Sequence, residues 1–338
     1  MTLKERINVL IQLGEHLRGE DEYLDALMHR SSYHNPWLTI ENQKLAVAAI
    51  AENMLHPEKL QAWLQRYEVP EEPTPLTVGI VMAGNIPLVG FHDLLCVFVT
   101  GRRGLIKLSD KDPYLLPYLL KLMERFDERA EAYFTLTEQL RDFDAVIATG
   151  SNNSARYFEA YFGKYPNIIR KNRNAIAVLA GEESAEELHE LGKDIFQYFG
   201  LGCRNVSKIY VPRGYDFDPL LEALHEYREI VLHNKYKNNF DYNYAFYLLN
   251  KEDFKANGCI LLREDASLQS RIASLHYEYY DKPEQVGREV ESRQEDIQCI
   301  VAREGFLKRA VLPFGKAQQP ELWDYADGVD TMQFLLKL

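Results

Sequence analysis

Cys203 is the residue whose type and setting most directly suggest covalent chemistry. It stands in FGLGCRNVSKIYV (199–211), after Gly200 and Gly202 and before Arg204. Glycines let a carbonyl group come close to the backbone. A neighbouring guanidinium and open backbone amides favour the thiolate, the form that attacks a carbonyl carbon. Cys96, Cys259 and Cys299 lie instead in the apolar runs LLCVF, GCILL and IQCIV, and read as core. A structural thiol is the competing reading of Cys203. Three other segments set polar groups just after apolar runs. In VMAGNIP (81–87) the Asn85 amide sits in a Gly/Pro turn, as a donor to a ligand or as a helix cap. In IKLSDKDP (106–113) Lys107 leaves an apolar run and Ser109 and Asp110 follow it. The lysine could meet a ribose or phosphate, or simply extend to the surface. In DAVIATGSNNSARYF (144–158) Thr149, Gly150 and Ser151 form either a phosphate cradle or an ordinary capped turn.

These segments need elements to position them. Apolar runs at 77–82, 104–108, 144–148, 175–179, 207–211, 244–249, 259–263 and 297–301 read as strands. Helical stretches fall between them, at 88–100, 113–127, 152–163, 185–199, 218–228 and 283–293. This alternation predicts βαβ units and mostly parallel sheets, an α/β fold. Residues 1–69 have helical periodicity, and PEEPTP (70–75) is a stiff break after them. The expected organisation is a helical region at 1–69, a first α/β segment at 70–172, a second at 173–312 and a tail at 313–338, of which the resemblance described below makes the first the dinucleotide-binding domain and the second the catalytic domain. The tail run TMQFLLKL reads as a strand that covers a neighbouring copy's edge or closes its own domain.

The chain has 338 residues, enough for about two domains. Its 46% hydrophobic and 27% charged content excludes a disordered or fibrous protein. A net charge of −12 argues against a general nucleic-acid binder. Four dispersed cysteines with no CxxC pair argue against a metal site. There is no signal-peptide pattern and no run of about 18 apolar residues, so the expectation is a cytoplasmic protein without a membrane span. Neither GxGxxG nor a Walker loop is present.

In order and spacing, these segments resemble the aldehyde dehydrogenase superfamily, in particular its LuxC-like acyl-CoA reductases, the fatty-acid reductase branch. The resemblance covers residues 75–338. It implies an aldehyde dehydrogenase-like fold of two parallel-sheet α/β domains, cofactor and catalytic, with a helical N-terminus and a C-terminal oligomerisation strand in a homodimer. It makes Cys203 the nucleophile and Asn85 the oxyanion amide. It places Lys107, Ser109, Asp110, Thr149, Gly150 and Ser151 around the cofactor, and Glu295 on the nicotinamide ribose. Pro313-Phe314-Gly315 matches the family's C-terminal Pro-Phe-Gly segment.

One departure bears on the reaction. Hydrolytic members carry a glutamate base about 34 residues before the nucleophile, and here Arg170 stands 33 residues before Cys203. A guanidinium cannot act as that base. The resemblance then implies NADPH-dependent reduction of an acyl-CoA to the aldehyde, with NADH possible because Asp110 would repel a 2′-phosphate. Arg170, Arg204 and Phe314 become candidate substrate contacts. Arg102, Arg103, Lys107 and Lys111 form one candidate anion cluster, and Arg170, Lys171, Arg173 and Arg204 form another. Placing a glutamate at position 170 is expected to turn the enzyme toward hydrolysis. The competing readings are a reductase of an acyl phosphate or acyl carrier protein thioester, and a catalytically silent binding protein of the same fold.

Overall fold

Short apolar runs bounded by turn residues become strands, and the amphipathic stretches between them become helices. The computed structural model describes residues 1–72 and 75–338. The break expected at 70–75 includes residues 73 and 74, which lie outside the described residues. The chain divides into two units, Met1–Asn172 with Pro320–Leu338, and Arg173–Gln319.

In the first unit α1 (Leu3–Arg18), α2 (Glu22–His34), α3 (Ile40–Ala49) and α4 (Pro57–Leu64) precede the sheet. A capping box starts α1: Thr2 Oγ1 accepts from the Glu5 N–H at 3.2 Å and the Glu5 carboxylate accepts from the Thr2 N–H at 2.7 Å. The α/β part follows as β1 (Thr77–Val81), α5 (Phe91–Val99), β2 (Arg103–Lys107), α6 (Leu115–Phe126), β3 (Phe134–Leu136), β4 (Ala145–Thr149), α7 (Asn152–Phe162) and β5 (Asn167–Arg170). The sheet order is β3-β2-β1-β4-β5, with every neighbouring pair parallel. The order reverses between β1 and β4. Ligands of open parallel sheets bind at such a reversal, outside the carboxyl ends of the strands.

The tail departs from expectation. Residues 320–338 fold into the first unit, and Thr331–Leu336 is a helix, not a strand. Asp330 caps it, accepting from the Gln333 N–H at 2.8 Å. Thr331, Met332 and Leu335 are buried at helical spacing, so a helix buries what a strand would leave alternating. Arg170 and Asp93 form a buried bidentate pair, and Arg170 Nη2 also donates to Thr331 Oγ1 at 3.0 Å. A directed chain of hydroxyls adds to this anchor. Trp63 Nε1 donates to the Tyr325 hydroxyl at 2.8 Å, Tyr325 bonds to Tyr67 at 2.7 Å, and Tyr67 donates to Asp330 at 2.8 Å. Burial pushes the Tyr67 phenol up to about 12, so the chain stays protonated at neutral pH. The homodimer expectation loses the strand on which it rested.

The second unit contains β6 (Asn174–Val178), α8 (Ala185–Phe196), β7 (Val206–Pro212), α9 (Asp218–His225), α10 (Asn234–Leu249), β8 (Phe254–Ala256), β9 (Leu261–Glu264), β10 (Ser274–Tyr280), α11 (Pro283–Ser292) and β11 (Ile297–Val301). Its sheet runs β11-β6-β7-β10-β9-β8, parallel except for the edge strand β8. The aromatic run at 244–249, expected as a strand, is the end of α10. Tyr236, Phe240, Asn243 and Tyr247 are buried three or four apart, and that period outweighs the strand preference of the aromatic rings. The neighbouring aromatic segment HYEYY falls in β10 instead.

Candidate functional site

The sheet of the first unit gathers most of the cofactor candidates at one edge. Lys107 and Thr149 are the last residues of β2 and β4. Asn85, half-buried, lies in the turn after β1, and Ser109 and Asp110 follow β2. All are therefore at the carboxyl ends of parallel strands flanking the reversal. A Cβ on Gly84 would lie 2.5 Å from Ser109 Oγ, so the turns after β1 and β2 pack backbone against side chain. Two devices fix these turns. His34 and Asn35, at the end of α2, bond to the Asp110 and Lys111 carbonyls at 2.6 and 3.2 Å. Asp112 Oδ2 accepts from the N–H of Leu88, a residue held at φ +53°. Such a backbone persists only when its surroundings enforce it.

After β4, Ser151 caps α7 by accepting from the Ser154 N–H at 3.2 Å. A Cβ on Gly150 would lie 2.8 Å from Ser154 and Phe158, so the chain turns tightly onto the first turn of α7. The positive end of that helix thus faces the same strand edge, which suits the pyrophosphate of a dinucleotide. Lys107 and Asp110 are exposed beside it. The residues present fit a dinucleotide cofactor.

The basic cluster of Arg102, Arg103, Lys107 and Lys111 read from the sequence does not assemble. Arg102 is buried and donates to the Leu335 carbonyl at 3.2 Å. Arg103 lies at the amino end of β2, about 13 Å along the strand from Lys107. Arg170 is also corrected. It is buried in the pair with Asp93 and serves the tail, so it is neither a substrate contact nor a stand-in for a hydrolytic base. Lys171 pairs with Glu159 at 3.0 Å on the surface.

In the second unit Cys203 occupies the corner of a tight turn three residues before β7. The turn closes through the Asn205 N–H to the Gly202 carbonyl at 3.1 Å. The buried Asn205 side chain holds it twice more, accepting from the Gly202 N–H at 2.8 Å and donating to the Gln197 carbonyl at 2.6 Å. Tyr198 and Phe199, just upstream, both have left-handed backbones, at φ +54° and +58°. Each costs about 1–2 kcal/mol in a non-glycine residue. The Phe199 ring is stacked on His233 at 4.4 Å, which helps hold the strained segment.

All four cysteines are thiols, and burial sets Cys96 and Cys259 apart from Cys203 and Cys299: Cys299 is half-buried, against the expectation that it lies in the core. Cys96 and Cys259 are fully buried, and burial pushes Cys259 up to about 12 and Cys96 well up. Cys203 is half-buried. Glu295 is exposed two residues before β11, and β11, β6 and β7 are parallel neighbours. Glu295 and Cys203 therefore both precede strands of one parallel sheet, β11 and β7, which are separated by β6. Arg204 is half-buried and Phe314 is buried.

Asp194 escaped sequence reading, although an aspartate at the spacing of Leu188, Leu191 and Ile195 breaks an apolar stripe. Its carboxylate is buried and accepts the N–H groups of Gly315 and Ala317, at 2.7 and 2.9 Å. Burial pushes it up from 3.8 to about 6, against the pull of those two bonds. The folded state thus holds this proton more tightly than the unfolded chain, and stability falls as pH rises from about 4 to 6. The term amounts to at most about 3 kcal/mol. Denaturant unfolding at pH 4, 5, 6 and 7 should show the wild type losing stability relative to Asp194→Asn over this window. Parallel curves would contradict the assignment.

No family model matches the chain. The chain is 22% identical over 286 residues to long-chain acyl-protein thioester reductase 2 of Photobacterium leiognathi, covering 75% of this chain and 59% of that protein. It is 22% identical over 292 residues to the long-chain acyl-protein thioester reductase of Aliivibrio fischeri, covering 76% and 60%. The chain thus spans about three fifths of the length of these relatives. Among solved structures, aldehyde dehydrogenase 21 from Physcomitrella patens, in complex with succinate, matches with a TM-score of 0.70 at 12% identity, over 100% of this chain and 84% of its own. An aldehyde dehydrogenase from Bacillus cereus in complex with NAD+ matches with a TM-score of 0.64 at 15% identity, over 91% and 72%.

The chain has the aldehyde dehydrogenase fold.

The aldehyde dehydrogenase-like parallel sheet of the first unit and mixed sheet of the second follow from that fold. The likeness to LuxC-like reductases drawn from the residues agrees with the names of the sequence relatives. Among the described residues no helix is long and apolar enough to cross a membrane.

Proposed function

We propose that this chain reduces an acyl thioester to an aldehyde, with Cys203 carrying the acyl group. The observation that supports this most directly is the half-buried thiol on a turn held by Asn205 and bordered by strained backbone. The Cys203 thiolate attacks the thioester carbonyl, the new carbon–sulfur bond forms, and the donor thiol departs with its electron pair and takes up a proton. The Cys203 N–H and the Asn85 amide stabilise the oxyanion. A reduced nicotinamide, when bound, supplies the hydride that the acyl carbon requires. Lys107, Ser109, Asp110, Thr149, Gly150 and Ser151 hold its adenosine and phosphate groups, and Glu295 its second ribose.

The proposed cofactor is NADPH, following the resemblance, and the exposed Asp110 is the argument for NADH. The proposed donor is an acyl-CoA, with Arg204 on its phosphates and Phe314 toward the acyl chain. A donor whose acyl group sits on a protein thiol is the second reading, favoured by the names of the sequence relatives. Purified protein is incubated with NADPH or NADH and with acyl-CoA, acyl phosphate or acyl-protein, and aldehyde is measured. Aldehyde from a thioester supports the proposal. Cofactor binding without turnover of any donor favours a silent scaffold.

A further inference from the structure

A closed circuit of hydrogen bonds joins the Cys203 turn to residues 313–317 through Asp194. None of the proposed chemistry uses this aspartate. Its two carboxylate oxygens each accept one strap N–H, from Gly315 at 2.7 Å and Ala317 at 2.9 Å. The Ala317 carbonyl accepts from Arg204 Nη1 at 3.4 Å. On the other side the Asp194 carbonyl accepts from Asn205 Nδ2 at 3.4 Å, and Asn205 Oδ1 holds the Gly202 N–H. Gly202 and Arg204 are the two neighbours of Cys203. The circuit therefore grips the nucleophile from both sides.

The choice of residue is informative. A buried carboxylate is costly, and an apolar side chain would fill the same space at lower cost. Only an ionised carboxylate offers acceptors on both oxygens for two convergent N–H donors.

We propose that Asp194 is a positioning residue for acylation of Cys203: its carboxylate holds the strap, the strap holds Arg204, and the turn is fixed with the sulfur presented to the thioester. The inference rests on Cys203 being the nucleophile. Protonating Asp194 converts one acceptor oxygen into a donor and releases one strap N–H. Glu190 and Lys193 on α8 act on this carboxylate in opposite senses. Lys316 in the strap, Arg204 in the turn and Tyr227 beyond α9 are the other titratable or charged groups of the segments around it.

The test compares wild type with Asp194→Asn in single-turnover acylation by decanoyl-CoA without nicotinamide. It reads released thiol and the adduct on Cys203. Acylation at saturating thioester should slow at least about tenfold, a larger change than any in the half-saturating concentration, which Arg204 would move. An unchanged rate in a folded variant overturns the proposal. Iodoacetamide labelling of Cys203 supplies a readout that needs no substrate. If wild type forms no acyl adduct, the nucleophile reading fails, while altered labelling in the variant still supports the clamp and equal labelling rejects it. If the variant does not fold, hydrogen exchange in wild type decides. Below pH 6 one of the Gly315 and Ala317 amides should lose protection, after correction for intrinsic rates, and labelling of Cys203 should change with it. Equal protection at pH 5 and pH 7 overturns the proposal.

Discussion

Replacing Cys203 with alanine should abolish aldehyde formation, lowering turnover by at least about 10³-fold, the scale seen when an activated nucleophile is removed. The fold should survive. Cys203 is at a half-buried turn corner, and Asn205 and Gly202 close the turn through their own hydrogen bonds. Unfolding midpoints of the variant and the wild type should agree within about 2 °C. Alanine at Cys96 or Cys259 should give the opposite pattern, a loss of stability with chemistry retained, because both sit fully buried in packing. Turnover by Cys203→Ala would remove the basis of the proposed function.

The second large effect concerns the tail. Arg170→Met leaves the Asp93 carboxylate buried without its partner, which costs about 3–5 kcal/mol. Thermal unfolding of the first unit should drop by about 6–20 °C. Pairing it with Asp93→Leu should recover much of that loss, because no orphaned charge remains. A single variant melting within 1 °C of wild type would contradict this account of the tail. The same geometry reverses the expectation for Arg170→Glu. Two carboxylates would face each other in a buried site, so the variant should release the tail helix rather than gain a hydrolytic base.

The sequence made the parallel sheets and the turn segments legible because apolar runs and Gly/Asn/Ser turns are local signals. The apolar runs at 77–82, 104–108 and 144–148 place Asn85, Lys107 and Thr149 in or just after strands, and the three stand at one carboxyl edge. Three things were hidden, each for a physical reason. The tail helix is a six-residue element anchored by Arg170 and Asp93, far away in sequence. The role of Arg170 depended on a partner 77 residues away on α5. The end of α10 has strand-like composition, and only burial of Tyr236, Phe240 and Tyr247 on one face makes it a helix. Long-range polar pairing leaves almost no local trace, which is also why Asp194 went unread.

The most direct test of the central claim is peptide mass spectrometry after brief exposure of the protein to an acyl thioester without reductant. The account predicts one acyl mass increment on the peptide containing Cys203, removed by hydroxylamine and absent in Cys203→Ala. An unmodified Cys203, or an increment on Cys299 instead, would contradict it.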